Sequence, residues 1–156
     1  MTTRDLLLAT IDQAYNRQSW HGTNLRGSIR GVTPDLAAWR PAPGRHNIWE
    51  LVVHAAYWKY AVLRRLAGQK RGSFALEGSN FFTRPVDATD GAWRTDVKLL
   101  DDTHRELRAA IAAFPSNRLP AIEPGKKTTN VWLITGIAAH DLYHAGQIQL
   151  IKRLRA

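Results

Sequence analysis

The chain has 156 residues, 44% hydrophobic and 9% aromatic, which is enough apolar mass for one packed core and too much for a disordered chain. Its 22 Lys and Arg against 13 Asp and Glu give a formal charge of +9, but the basic residues are scattered, so charge alone does not designate a nucleic-acid surface. The absence of cysteine removes disulfides, thiolate metal sites and a cysteine nucleophile, and leaves six histidines as the inventory for metal chemistry.

The first predicted helix runs from Thr3 to about Ile29, on the spacing of Leu6, Leu7, Thr10, Ile11, Ala14, Tyr15, Leu25 and Ile29. Its interior "SWHG" holds Trp20, His21 and Gly22, and the glycine, worth ~1 kcal/mol less than Ala in a helix, predicts a kink, a close approach of another group or a loose, frayed turn there. Between Gly31 and His46 the Pro and Gly content leaves room for one short turn at "PDLAAW". The second helix begins near Asn47, where Glu50 three residues on has the spacing of a reciprocal cap. It continues through Leu51, Val52, Ala55, Val62 and Leu66 until Gly68 stops it.

Residues 69–87 show neither helical nor strand period and exceed the ~12–15 residues usual for a connection, so a lid, crossover or binding wall is expected there. A third helix spans about Thr89 to Phe114, before Pro115. The fourth takes "NVWLITGIAAHDLYHAGQIQLIKRL" nearly to the last residue. No strand pattern competes, and no stretch approaches the ~20 apolar residues of a membrane span. The expectation is a single all-α domain over residues 1–156, a cytoplasmic four-helix bundle in which the long second connection fits an up-down-down-up order.

On the fourth helix His140 and His144 lie about 40° apart, near enough to share one divalent ion. Gln147 and Tyr143 adjoin them and could orient a ligand or simply pack. A third ligand must come from another helix, and His54, inside the apolar run "LVVHAAYW", is the candidate. An inward imidazole there needs either a hydrogen-bond partner or a metal, since unpaired burial costs about 1–3 kcal/mol. Glu50 is explained by the cap, and Asp141, turned about 100° from His140, reads as a surface residue or one that supports a ligand from behind. His46 reads as a loop residue, while His104 faces solvent or a partner helix.

Four pieces together, "SWHGTNL", "RPAPGRHNIWELVVHAAYW", the Trp93 segment and "HDLYHAGQIQLIKR", resemble the DinB/YfiT-like family of metal-binding four-helix bundles over nearly the whole chain. The resemblance implies an up-down-down-up bundle in which His54, His140 and His144 bind one divalent ion, zinc or nickel. It also implies transfer of a low-molecular-weight thiol to an electrophile, and a homodimer. Trp20, His21, Tyr143 and Gln147 are the expected substrate-side residues, with the loop at Asn80, Phe81 and Phe82 as a pocket wall. Two other readings stand beside thiol transfer. An open metal position permits hydrolysis, for which no acidic residue has an evident base position, and a non-enzymatic metal-stabilised stress protein or nucleic-acid module would use the charge, although no helix with clustered Arg and Lys stands out.

Overall fold

The computed structural model describes residues 1–156 and is all-helical: α1 Thr3–Tyr15, α2 Leu25–Ser28, α3 Pro34–Ala38, α4 Ile48–Leu66, α5 Asp90–Ala113 and α6 Asn130–Arg155. A short 3-10 turn at Ser116–Arg118 and one isolated bridge, Ile122 to Thr129, lie between α5 and α6. No helix is long and apolar enough to cross a membrane.

Local chemistry sets the ends. Thr2, Asn47, Thr89 and Thr129 each cap a long helix by accepting a backbone N–H with the side-chain oxygen. At α1 the cap is reciprocal, since Asp5 accepts the backbone N–H of Thr2 at 2.8 Å. The reciprocal cap expected at Asn47 is only half present. Asn47 accepts from the N–H of Glu50 at 2.7 Å, but the Glu50 carboxylate turns away to Arg40 and His46.

The expected first helix is two helices. α1 ends at Tyr15 with Asn16 as its C-cap, and in the turn that follows Gly22 has φ +102°, a left-handed conformation through which a right-handed helix does not continue. Asn24 then closes the turn with both ends of its amide, donating to Arg17 O at 2.8 Å and accepting from the N–H of Gly27 at 2.9 Å to cap α2. Leu25 and Ile29 are buried as their spacing predicted, but from a separate element.

Two apolar clusters form the core. One gathers Trp49, Val52, Leu100 and Ile148, and the other Leu7, Ile11, Leu107, Ile111 and Ile134. Burying each such side chain is worth about 1.5–3 kcal/mol. On α4, α5 and α6 a buried polar residue stands between the two clusters: Lys59, His104 and Asp141. Near the start of α4 and α5 the indole of Trp49 donates to Asp96 at 2.6 Å, while Val62 and Leu66, late in α4, share a cluster with Leu107 and Ile111, late in α5. Arg65, late in α4, meets Thr128 just before α6. Arg4, early in α1, donates to Phe114 O after the end of α5.

The long connection after α4 folds back along that helix. Tyr60 accepts the N–H groups of Gly72 and Ser73, each at 2.9 Å, and Phe74 and Phe82 pack against Tyr57. This return path carries Asn80 and Phe81 to His54, one turn before Trp58.

Candidate metal centre

His54 from α4 and His140 and His144 from α6 come together, and one ring nitrogen from each lies within 4.8 Å of the others. Nε2 of His140 stands 3.1 Å from Nε2 of His54 and 3.0 Å from Nε2 of His144. A tetrahedral ion with bonds of ~2.0–2.1 Å sets its ligand atoms about 3.3–3.4 Å apart, so the two separations from His140 fall a few tenths of an ångström short of that spacing, and the third pair lies within 4.8 Å.

The opposite nitrogens decide which lone pairs face inward. Nδ1 of His54 lies 2.8 Å from the backbone carbonyl of Asn80, an acceptor only, so Nδ1 carries the proton and Nε2 a lone pair. Nδ1 of His144 lies 2.6 Å from Oε1 of Gln147, which imposes the same tautomer. His140 can donate to one of those lone pairs but not to both, and its own Nδ1 is buried without a partner. Burial pulls His54 down to about 4 and His140 to about 3, with further contributions from neighbouring charges, and lowers His144 as well. The rings are therefore neutral near pH 7, and a cation is the partner that satisfies converging lone pairs.

A stacked column braces the α4 side. The Phe81 ring lies between His54, 3.9 Å away, and His46, 3.7 Å away, nearly parallel to both. Nδ1 of His46 donates to Glu50 at 2.9 Å, and Arg40 donates to both oxygens of that carboxylate. Burial raises the Glu50 carboxyl, but the bonds from Arg40 and His46 outweigh it and hold the group below its usual value. His46 is thus more than a loop residue, since it supports Phe81 from the side away from His54.

Other expected positions fall differently. Tyr143 is exposed, with its ring edge-on to His144 at 5.1 Å, while Gln147 is committed to His144. Trp20 is fully exposed and His21 is exposed, in the turn between α1 and α2, and no hydrogen bond or ring contact joins either to the histidines. Asp141 is not a surface residue. It is 1% exposed and paired with Lys59, also 1% exposed, and burial drives the Asp141 carboxyl up and the Lys59 ammonium down, each partly offset by the other's charge. His104 is buried, stacked on Tyr15 at 3.7 Å.

Sequence inspection missed Asn80 as a backbone acceptor, and it missed Trp58. The Trp58 indole donates to Oδ1 of Asn80 at 2.9 Å and lies edge-on to His54 and His140. The i, i+4 spacing from His54 was the available signal.

A family model described as the DinB superfamily matches residues 17–148. No curated protein and no solved structure matches the chain.

Proposed function

The chain belongs to the DinB superfamily, and on that premise we propose that it is a metal-dependent enzyme, a thiol S-transferase whose ion is held by His54, His140 and His144. The observation that carries this reading is the convergence of three imidazoles whose opposite nitrogens are either committed to fixed acceptors or buried. Three neutral ligands leave a divalent ion, zinc or nickel, with its full charge and an open position. When bound, that ion lowers the pKa of a thiol and makes it a better nucleophile at neutral pH.

The chain's own residues supply orientation. Asn80 and Gln147 fix two imidazoles, Phe81 and His46 brace the first of them, and Tyr143 is exposed at the rim for contact with a ligand. For Trp20 and His21 no contact supports a substrate role. Thiol transfer is preferred to hydrolysis because no free carboxylate adjoins the site. Asp141 is bound to Lys59, Glu50 to Arg40 and His46, and the cluster contains histidines only.

The order of helix contacts supports an up-down-down-up bundle, with α4 and α5 running together and α1 and α6 opposing them. A homodimer through α6 is also proposed. Trp132, Gly136, Ala139, Tyr143, Gly146 and Leu150 are exposed along it without a charge among them, and the glycines allow close approach. Light scattering on Gly146→Arg should report a monomer that still binds metal.

The deciding experiment is metal analysis of untagged protein followed by a thiol and electrophile screen. Stoichiometric metal with thiol conjugation, both lost in His54→Ala, is expected. Cleavage of ester or amide probes with no thiol turnover would favour hydrolysis. Metal without any turnover would leave a metal-stabilised binding protein.

A further inference from the structure

A cleft of about 870 Å³ opens from Trp58, between the second half of α4, the turn that follows it and the α5–α6 connection. Five cations line it: Arg65, Lys70, Arg71, Arg118 and Lys126. The single acid, Glu123, is taken by Arg118 at 2.8 Å and by the Asn130 amide. Arg65 and Arg71 meet only the hydroxyls of Thr128 and Tyr57, and Lys70 and Lys126 have no side-chain partner.

Five of the arginines elsewhere in the chain are neutralised. Arg26, Arg40, Arg84, Arg105 and Arg108 each face a carboxylate. Four cations around one recess without a counter-charge repel one another, and an anion placed among them relieves that repulsion while the low-dielectric wall strengthens the attraction.

The recess lies in helix phase with the histidine site, and Trp58 adjoins both. Trp58, Ala61 and Arg65 follow His54 by four, seven and eleven residues, and Leu133 precedes His140 by seven, so cleft and cluster share one face of α4 and of α6. Trp58 belongs to both, with its ring edge-on to His54 and His140. Along α4, Arg65 lies about 16 Å from His54.

We infer that the cleft binds an elongated organic anion: an oxyanion group is held by Arg65, Lys70, Arg71 and Lys126, an apolar segment lies on Trp58 and Leu133, and the opposite end reaches the histidine cluster. The inference rests on the proposed metal reading only for what happens at that far end. The oxyanion pocket stands on the cleft itself.

Calorimetric titration tests it with 1-naphthyl phosphate and 2-naphthoate against uncharged 1-naphthol. Metal-loaded wild type, chelator-treated wild type and the charge reversal Lys70→Glu/Lys126→Glu are compared, the last at exposed side chains with no ion pair to lose. At least one anion should bind about tenfold or more tighter than the naphthol, weaken as salt rises, and lose about tenfold in the charge reversal while metal content stays unchanged. The tighter of the two anions identifies the oxyanion. Binding should survive chelator treatment. If it vanishes on chelation and ignores the charge reversal, the anion sits on the metal, and the cleft assignment fails while the metal reading stands. Equal affinity for naphthol and both anions overturns the inference outright. So does a DNA duplex that binds where neither naphthyl anion does, because the cations would then form a nucleic-acid surface.

Discussion

The backbone carbonyl of Asn80 accepts a hydrogen bond from Nδ1 of His54 at 2.8 Å, so a loop residue 26 positions away selects the tautomer of an imidazole on α4. Asn80 has φ 65°, a conformation that asparagine and glycine tolerate and β-branched residues resist. Asn80→Gly keeps the carbonyl in place and should change zinc affinity little, although it removes the acceptor of the Trp58 indole. Asn80→Val should shift the carbonyl and cost about tenfold or more in affinity. Competition against a chromophoric chelator measures both, and equal losses in the two variants would show that the side chain matters rather than the backbone.

Gln147 does for His144 what Asn80 does for His54, but through a side chain. Gln147→Leu removes the acceptor and should weaken zinc binding about 10- to 100-fold, whereas Gln147→Glu, a stronger acceptor, should preserve it. The same competition titration reads the pair. An unaltered Leu variant would mean that the orientation of His144 is set by packing alone.

The convergence of the three histidines was legible because each carries a local mark: i, i+4 spacing on a long helix for two of them, an apolar run around the third. What positions them was not. The Asn80 contact is made by a backbone atom in a loop without period, and nothing in the one-letter sequence encodes where a carbonyl points. Asp141 was correctly turned away from His140, yet its burial depends on Lys59, 82 residues distant, and a lysine in "AAYWKYAV" reads as an exposed head on an apolar stem. The first helix looked continuous because Leu25 and Ile29 resume the apolar spacing after the turn. Asn24, which closes the turn after α1 and caps α2, acts by side-chain bonds that spacing does not show.

His104 makes acid sensitivity testable away from the three-histidine cluster. It is stacked on Tyr15, with Lys59 and Arg108 as the charges acting on it, and burial with those two cations holds it at about 3, against an ordinary value of 6.5. Between these values the unfolded chain carries the proton and the folded chain does not, so stability rises with pH there and is lost as pH falls from about 6.5 toward 3. His104→Phe keeps a ring against Tyr15 and removes both the titration and the unpartnered Nδ1. Urea unfolding of metal-free protein from pH 6.5 to 4 should give a pH slope smaller by about one proton in the variant. An unchanged slope would place the acid sensitivity in other groups.

Lys59 and Asp141 join α4 to α6 in the layer between the two apolar clusters, with Lys59 also above the Tyr15 ring at 4.8 Å. Oδ1 of Asp141 has no partner, so the pair is incompletely satisfied and its net contribution over apolar replacement is small. Breaking it is another matter. Asp141→Leu leaves a buried ammonium that must either stay charged without compensation or give up its proton, and the cost at pH 7 should be about 3–5 kcal/mol. Because burial already lowers Lys59, its folded value in that variant lies further below the unfolded one, so part of the loss should return as pH rises toward 10. Lys59→Met/Asp141→Leu removes both charges and should be close to wild type or more stable. Thermal unfolding of the metal-free proteins at pH 7 and 9.5 distinguishes the cases. A double variant as damaged as Asp141→Leu would show that the ion pair organises the packing of α4 on α6 in a way apolar side chains cannot replace.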